Sequence, residues 1–180
     1  MRPGTQMLEQ YVRFFTVSTS ASAGFAGLLL VALSVVNKDE SHPLMRERRT
    51  ILAASSFLAL ADIFFVSLTS SLGGTRILAT TSLVMALFGL LATSRLRLRG
   101  VRAGTFAHDF PKRNSNLAFV AAALSIFSIQ LILAVALLVD SESAGLTRAT
   151  AFVIVALFVS ALSRAWVVAG IGHRSPYVDP

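Results

Sequence analysis

ILAASSFLALADIFFVSLT, residues 51–69, is an apolar run in which Asp62 is the one ionisable side chain. An α-helix rises about 1.5 Å per residue, so roughly 20 residues cross a hydrocarbon core of about 30 Å. A run of this length with a single charge is typical of a transmembrane helix and unusual in a soluble core. The stretch predicts an integral membrane protein.

Four more apolar runs of similar length accompany it, at 14–36, 77–93, 117–139 and 149–168. Polar connectors at 70–76 and 140–145 predict two tight hairpins. All five prolines fall outside the runs, so each helix can keep its backbone hydrogen bonds. We expect an all-α transmembrane bundle of five helices, forming one domain over residues 1–180.

Ala21-Ser22-Ala23 fits a signal-peptide cleavage pattern, but the apolar run before it is too short; cleavage would leave four spans.

Composition agrees with this architecture. The chain is 54% hydrophobic and 14% charged, whereas soluble domains carry about 25% charged residues. It contains no cysteine, which excludes disulfides, thiol nucleophiles and thiolate metal sites. The net charge of +7 resides mainly in the connectors, so membrane topology explains it better than nucleic-acid binding does.

Orientation follows from the basic residues, which are retained on the cytoplasmic side. With five spans, one side receives eleven of them and the other receives four. The first group comprises Lys38, Arg46, Arg48, Arg49, Arg95, Arg97, Arg99, Arg102, Lys112, Arg113 and Arg174; the second comprises Arg2, Arg13, Arg76 and Arg148. We expect the N terminus outside and the C terminus in the cytoplasm.

Asp62 is the first candidate functional residue, because an intramembrane charge is expensive and often marks a proton or ion pathway. Ser55 and Thr69 share its helix face. Arg164 is the expected partner, since helical side chains lean toward their N termini and these two would lean toward each other. The alternatives are that Arg164 extends to the inner headgroups, or that Asp62 is a protonated acid bonded to Ser, Thr or Gln130. A structural role, a proton or ion pathway and a substrate site all stay open for Asp62.

Small residues form one face of the first helix, at Ser20, Ala23, Gly24 and Gly27. Small residues permit close backbone approach in lipid, where little hydrophobic force draws helices together. This pattern predicts a packed central helix, and its extent predicts a homo-oligomer or a membrane-protein partner.

Arg95, Arg97, Arg99 and Arg102 form the densest basic cluster, next to the third run. Attraction to anionic lipids on the cytoplasmic side accounts for it, and the interleaved aromatics of a nucleic-acid reader are missing from it. The histidines His42, His108 and His173 lack metal-ligand spacing, so we expect no metal and no cofactor.

Enzyme motifs are missing from the chain. It has no paired carboxylates in one segment, no G-x-S-x-G, no Walker loop and no H-E-x-x-H. His108 and Asp109 are adjacent, but no nucleophile can be assigned to them. The sequence therefore favours a non-enzymatic accessory or regulatory protein, with an ion or proton pathway at Asp62 and Arg164 as the alternative.

The first third of the chain resembles a group of small, uncharacterised bacterial polytopic membrane proteins. The resemblance rests on Phe14-Phe15, on Ser20 to Ala23, on Gly27 to Ser34, and on ALADIFFVSL at 59–68. It implies a multi-pass protein of a bacterial inner membrane and no particular activity.

Overall fold

The computed structural model describes residues 3–36, 43–72, 74–102 and 110–168, with side chains at 11–34, 50–72, 74–98 and 121–166. These ranges form five helices: α1 (Pro3–Val36), α2 (Pro43–Leu72), α3 (Thr75–Arg102), α4 (Phe110–Val139) and α5 (Ala144–Val168). Each contains a segment long and apolar enough to cross a membrane. The predicted all-α membrane bundle is confirmed, whereas the orientation of its termini stays a prediction.

The helices extend past the predicted apolar runs. Helix α1 begins at Pro3, eleven residues before its apolar run, and α3 continues to Arg102 although its apolar run ends at Thr93. Pro43 begins α2 and Pro111 is the second residue of α4. The first turn of a helix tolerates proline because its N–H groups have no intrahelical partner. The prolines thus begin helices outside the membrane segments.

Both predicted hairpins are present. The α2–α3 connection is closed by the Gly74 carbonyl, which accepts hydrogen bonds from the amides of Ile77 at 2.9 Å and Leu78 at 3.3 Å. In the α4–α5 connection, the Ser143 hydroxyl accepts from the Leu146 amide at 3.4 Å. A serine before the first turn satisfies an otherwise unpaired helix donor, so α5 starts at Ala144, earlier than the predicted residue 149.

Helix packing places α2 at the centre. It packs against α1, α3 and α5, while α4 packs against α3 and α5. Helices α2 to α5 therefore form a ring in which α2 and α4 stand diagonally opposite. Half of the most apolar stretch of α2 is buried, compared with 22% for α1, which lies outside the ring against α2 and α5.

The bundle has a partly polar interior and an apolar exterior. Ser22, Ser56 and Asp62 are fully buried, whereas Ile132 and Phe152 are each 67% exposed. This arrangement suits a hydrocarbon solvent, because large apolar side chains can face lipid while polar groups find partners inside.

Glycine and other small residues bring α3 and α4 together. Ala79, Ser82, Ala86 and Gly89 are buried along one face of α3. A Cβ atom on Gly89 would lie 2.5 Å from two ring carbons of Phe127, so the phenyl ring rests directly on the α3 backbone. Such a surface allows two helices to approach closely.

Candidate functional site

Asp62 lies near the middle of the α2 membrane segment Thr50–Leu72 and is fully buried. Both of its carboxyl oxygens accept hydrogen bonds from the Gln130 side-chain amide, Nε2 to Oδ1 at 3.0 Å and Nε2 to Oδ2 at 3.1 Å. Gln130 is on α4, the helix diagonally opposite α2. The contact therefore crosses the centre of the four-helix ring and joins two helices that pack mainly against others.

Arg164 is turned inward, with 3% of its surface exposed. Its Nη1 donates to the backbone carbonyl of Ser55 at 3.3 Å, and its Nη2 donates to the Ser160 hydroxyl at 2.6 Å. Its Nε is buried and has no hydrogen-bond partner. The guanidinium thus lies in the interface between α2 and α5 and contacts neutral groups.

The expected pairing of Asp62 with Arg164 is not present. Within the described part of the chain no ion pair joins them, because Asp62 is bound by Gln130 and Arg164 reaches Ser55, seven residues earlier on α2. Seven residues correspond to about 10 Å along a helix axis. Although the side chains of Asp62 and Arg164 lean toward each other, they do not span this distance. The other expectation for Arg164, extension to the headgroups, is also incorrect, since the side chain is buried.

The predicted polar face of α2 is only partly as expected. Ala59, Asp62 and Val66 are buried, so this face does point into the protein. Ser55 and Thr69, however, direct their hydroxyls to their own helix, to the carbonyls of Leu52 at 2.8 Å and Phe65 at 2.8 Å. Neither hydroxyl donates to Asp62.

Other buried hydroxyls are less well satisfied. The oxygens of Ser67 and Ser70 on α2 and of Ser82 on α3 are buried without a hydrogen-bond partner, as is Oε1 of Gln130. Sequence reasoning missed these serines because neutral serine is common in membrane helices. The signal available was the spacing of small residues along α3, which resembles that of α1.

The small-residue face of α1 does not pack within the chain. Ser20, Ala23, Gly24 and Gly27 are exposed, and a Cβ atom on either glycine would have no neighbour within 4 Å. Among the described side chains of α1, at 11–34, the buried ones are Phe15, Ser18, Ser22 and Leu29. At about 100° per residue these two sets lie on opposite sides of the helix. The interpretation of α1 as a packed central helix is therefore wrong for the single chain.

The basic cluster lies on a helix. Arg95 and Arg97 are exposed on the continuation of α3 beyond its apolar run. Arg99 and Arg102 belong to the last turns of the same helix, and their side chains are outside the described set. His42, His108 and His173, considered above for metal binding, also lie outside the described residues.

One contact links α1 to α5 at the opposite end of the bundle. Arg148 Nε donates to the Tyr11 hydroxyl at 3.2 Å, and the pair is exposed. Exposed polar pairs contribute little stability because water competes for both groups. This contact orients the start of α5 against α1.

No family model, curated protein or solved structure matches the chain. The resemblance to small bacterial membrane proteins stays a prediction, and the function has to be argued from the bundle itself.

Proposed function

We propose that this protein is a non-enzymatic accessory or regulatory bundle, which associates through α1 with a second copy or with another membrane protein. The observation that carries the proposal is the exposed face of Ser20, Ala23, Gly24 and Gly27, with open space above both glycines. In lipid, a helix gains by placing such a face against another helix, because close backbone approach adds van der Waals contacts that lipid tails do not match.

The position of α1 supports this proposal. The helix is attached to the ring by one side, through Phe15, Ser18, Ser22 and Leu29, so its opposite side is free to receive a second helix. Association on that side would leave the interior of the ring undisturbed. An accessory protein of this kind needs no opening through its own centre.

Cysteine cross-linking in native membranes tests the proposal, because the chain has no cysteine of its own. Gly24→Cys is expected to cross-link to a second copy or to a captured partner. Val155→Cys is a matched control, since Val155 is 45% exposed at a similar depth on α5. Equal cross-linking at both positions, or none at Gly24, would contradict association through α1.

A second candidate is an ion or proton pathway at Asp62 and Arg164. The favouring observation is the fully buried carboxyl group at the centre of the ring, together with the unpartnered oxygens of Ser67, Ser70 and Ser82. Buried polar groups without protein partners are sites where water can bind. Hydrated hydroxyls in the half of α2 beyond Asp62 would provide a route to its carboxyl group.

Proton and cation flux in proteoliposomes tests this candidate. Asp62→Asn keeps the size of the side chain and a hydrogen bond to Gln130 but removes the ionisable oxygen. Flux that disappears in Asp62→Asn while the protein stays folded would favour conduction. Undiminished flux in that variant, or none in the wild type, would exclude a pathway at Asp62 and leave the accessory role. Arg164→Gln shows whether the guanidinium contributes.

A further inference from the structure

Arg164 carries a buried positive charge whose contacts are all neutral in the described part of the chain. A guanidinium has five N–H donors, and here two neutral oxygens, the Ser55 carbonyl and the Ser160 hydroxyl, accept from it. Nε is buried without a partner. Because an unpaired buried charge is costly, an interior arginine is normally matched by an anion or by water.

The acidic residues whose side chains are described, Asp62, Asp140 and Glu142, do not supply that anion. Asp62 is bound by Gln130 through both oxygens. Asp140 and Glu142 precede the first turn of α5, whereas Arg164 lies twenty residues beyond its start at Ala144, a distance of about 30 Å along the helix. An anion at Arg164 would therefore come from outside the described chain.

Arg164 lies toward the C-terminal end of α5, in one half of the bundle. It lies two residues before Trp166, which is 61% exposed near the end of α5. Tryptophan is enriched where hydrocarbon meets headgroups. Arg164 is therefore on the side of the bundle that faces one headgroup layer, which the charge distribution predicts to be the cytoplasmic one.

The adjacent end of α2 is strongly basic. Arg164 contacts Ser55, and the first turns of α2 before that residue contain Arg46, Arg48 and Arg49. Positive charges near a membrane surface attract anionic lipids by about 1 kcal/mol each. The three arginines outnumber the one acid of these turns, Glu47, so the net charge of this end of α2 attracts an anion.

We propose that the α2–α5 interface at Arg164 is a binding site for a phosphate-type oxyanion, supplied by the headgroup of an anionic phospholipid. A planar guanidinium pairs with two phosphate oxygens through two parallel N–H groups on one of its edges. In Arg164 the unpartnered Nε and one Nη provide two such N–H groups. Ser55 and Ser160 hold the guanidinium in the interface. This site does not depend on association through α1.

Thermal unfolding of the purified full chain in detergent tests the site. Phosphatidylglycerol titrated into the micelles is expected to raise the melting temperature of the wild type, because a ligand that binds the folded state stabilises it. Zwitterionic phosphatidylcholine is expected to give a smaller rise. We expect the rise in melting temperature caused by phosphatidylglycerol to disappear in Arg164→Gln. It should persist in the control Arg148→Gln, because Arg148 lies at the other end of α5.

Inorganic phosphate distinguishes the two sources of the oxyanion. A rise with free phosphate that also requires Arg164 would support the oxyanion site and assign it to a soluble anion instead of a lipid. An Arg164→Gln variant that responds to phosphatidylglycerol as the wild type does would overturn the proposal. A wild type that responds to neither compound would overturn it as well.

Arg164→Lys covers the case in which Arg164→Gln does not fold. Lysine keeps the charge and loses the planar edge, so native mass spectrometry should show phosphatidylglycerol bound about tenfold more weakly than in the wild type. If the wild type and Arg164→Lys retain phosphatidylglycerol equally, the lipid is not recognised through the parallel N–H groups of the guanidinium. Wild-type protein that retains no anionic lipid would contradict the site altogether.

Discussion

The side-chain amide of Gln130 on α4 donates to both carboxyl oxygens of Asp62 on α2, and this contact crosses the centre of the bundle. The two helices stand on a diagonal of the ring, so the contact holds them in a common register. A polar pair in an apolar interior penalises arrangements that separate its members, because each separated group would be buried alone.

Gln130→Leu should destabilise the bundle by about 1–2 kcal/mol, because it removes both hydrogen bonds to Asp62 and leaves the carboxyl group buried. Asp62→Leu combined with Gln130→Leu should be more stable than Gln130→Leu alone, since the unpaired polar group is then gone. Unfolding in mixed detergent micelles measures all variants. Ser128→Leu, at an exposed position on α4, is the control, and additive effects of the two substitutions would contradict coupling.

Gly89→Ala should destabilise the α3–α4 contact by about 1–3 kcal/mol, because the added Cβ overlaps the Phe127 ring and the ring must shift. Gly27→Ala is the matched control, since a Cβ atom there meets no neighbour. The same unfolding assay compares the two. Phe127→Leu should recover part of the loss in the Gly89→Ala background, and equal stability of the two alanine variants would show that the close contact is not needed.

Gly24→Leu should leave the stability of the isolated chain unchanged within about 0.5 kcal/mol, because the site is open in the single chain. It should nevertheless weaken association, since a large side chain prevents close backbone approach. Cross-linking yield in membranes, read through Gly27→Cys with and without Gly24→Leu, and unfolding in detergent measure the two effects separately. Leu28→Ala, an exposed position about 90° from the centre of the small-residue face, is the control. A loss of stability that accompanies the loss of association would place the glycine in the fold itself.

Single cysteines should report the predicted orientation. Glu142→Cys in the α4–α5 connection should react with a membrane-impermeant maleimide on intact cells, because the basic connectors are retained on the other side. Leu98→Cys, in the basic continuation of α3 beyond its apolar run, should react after permeabilisation only. The opposite pattern would invert the topology and place Arg164 in the outer leaflet.

The sequence predicted where the helices lie, but it did not always predict which face of a helix packs against its neighbours. The run at 51–69 and the connector at 140–145 are local features; α2 contains the run and extends beyond it at both ends, and the α4–α5 hairpin lies at the connector. The small residues of α1 and α3 both recur at steps of three and four, yet those of α3 are buried, with Gly89 under Phe127, and those of α1 stay exposed. Spacing identifies a face that permits close packing and does not say which helix occupies it.

By itself the sequence determined that this is a membrane protein of five helices, because the length and hydropathy of each segment decide insertion without reference to the others. The tertiary structure alone decided that Gln130 binds Asp62, that Arg164 contacts Ser55 and Ser160, and that α1 lies outside the ring. These outcomes depend on the rotation and axial position of whole helices. Those two quantities are set by packing between residues far apart in the chain, here 68 positions for Asp62 and Gln130 and 109 for Ser55 and Arg164.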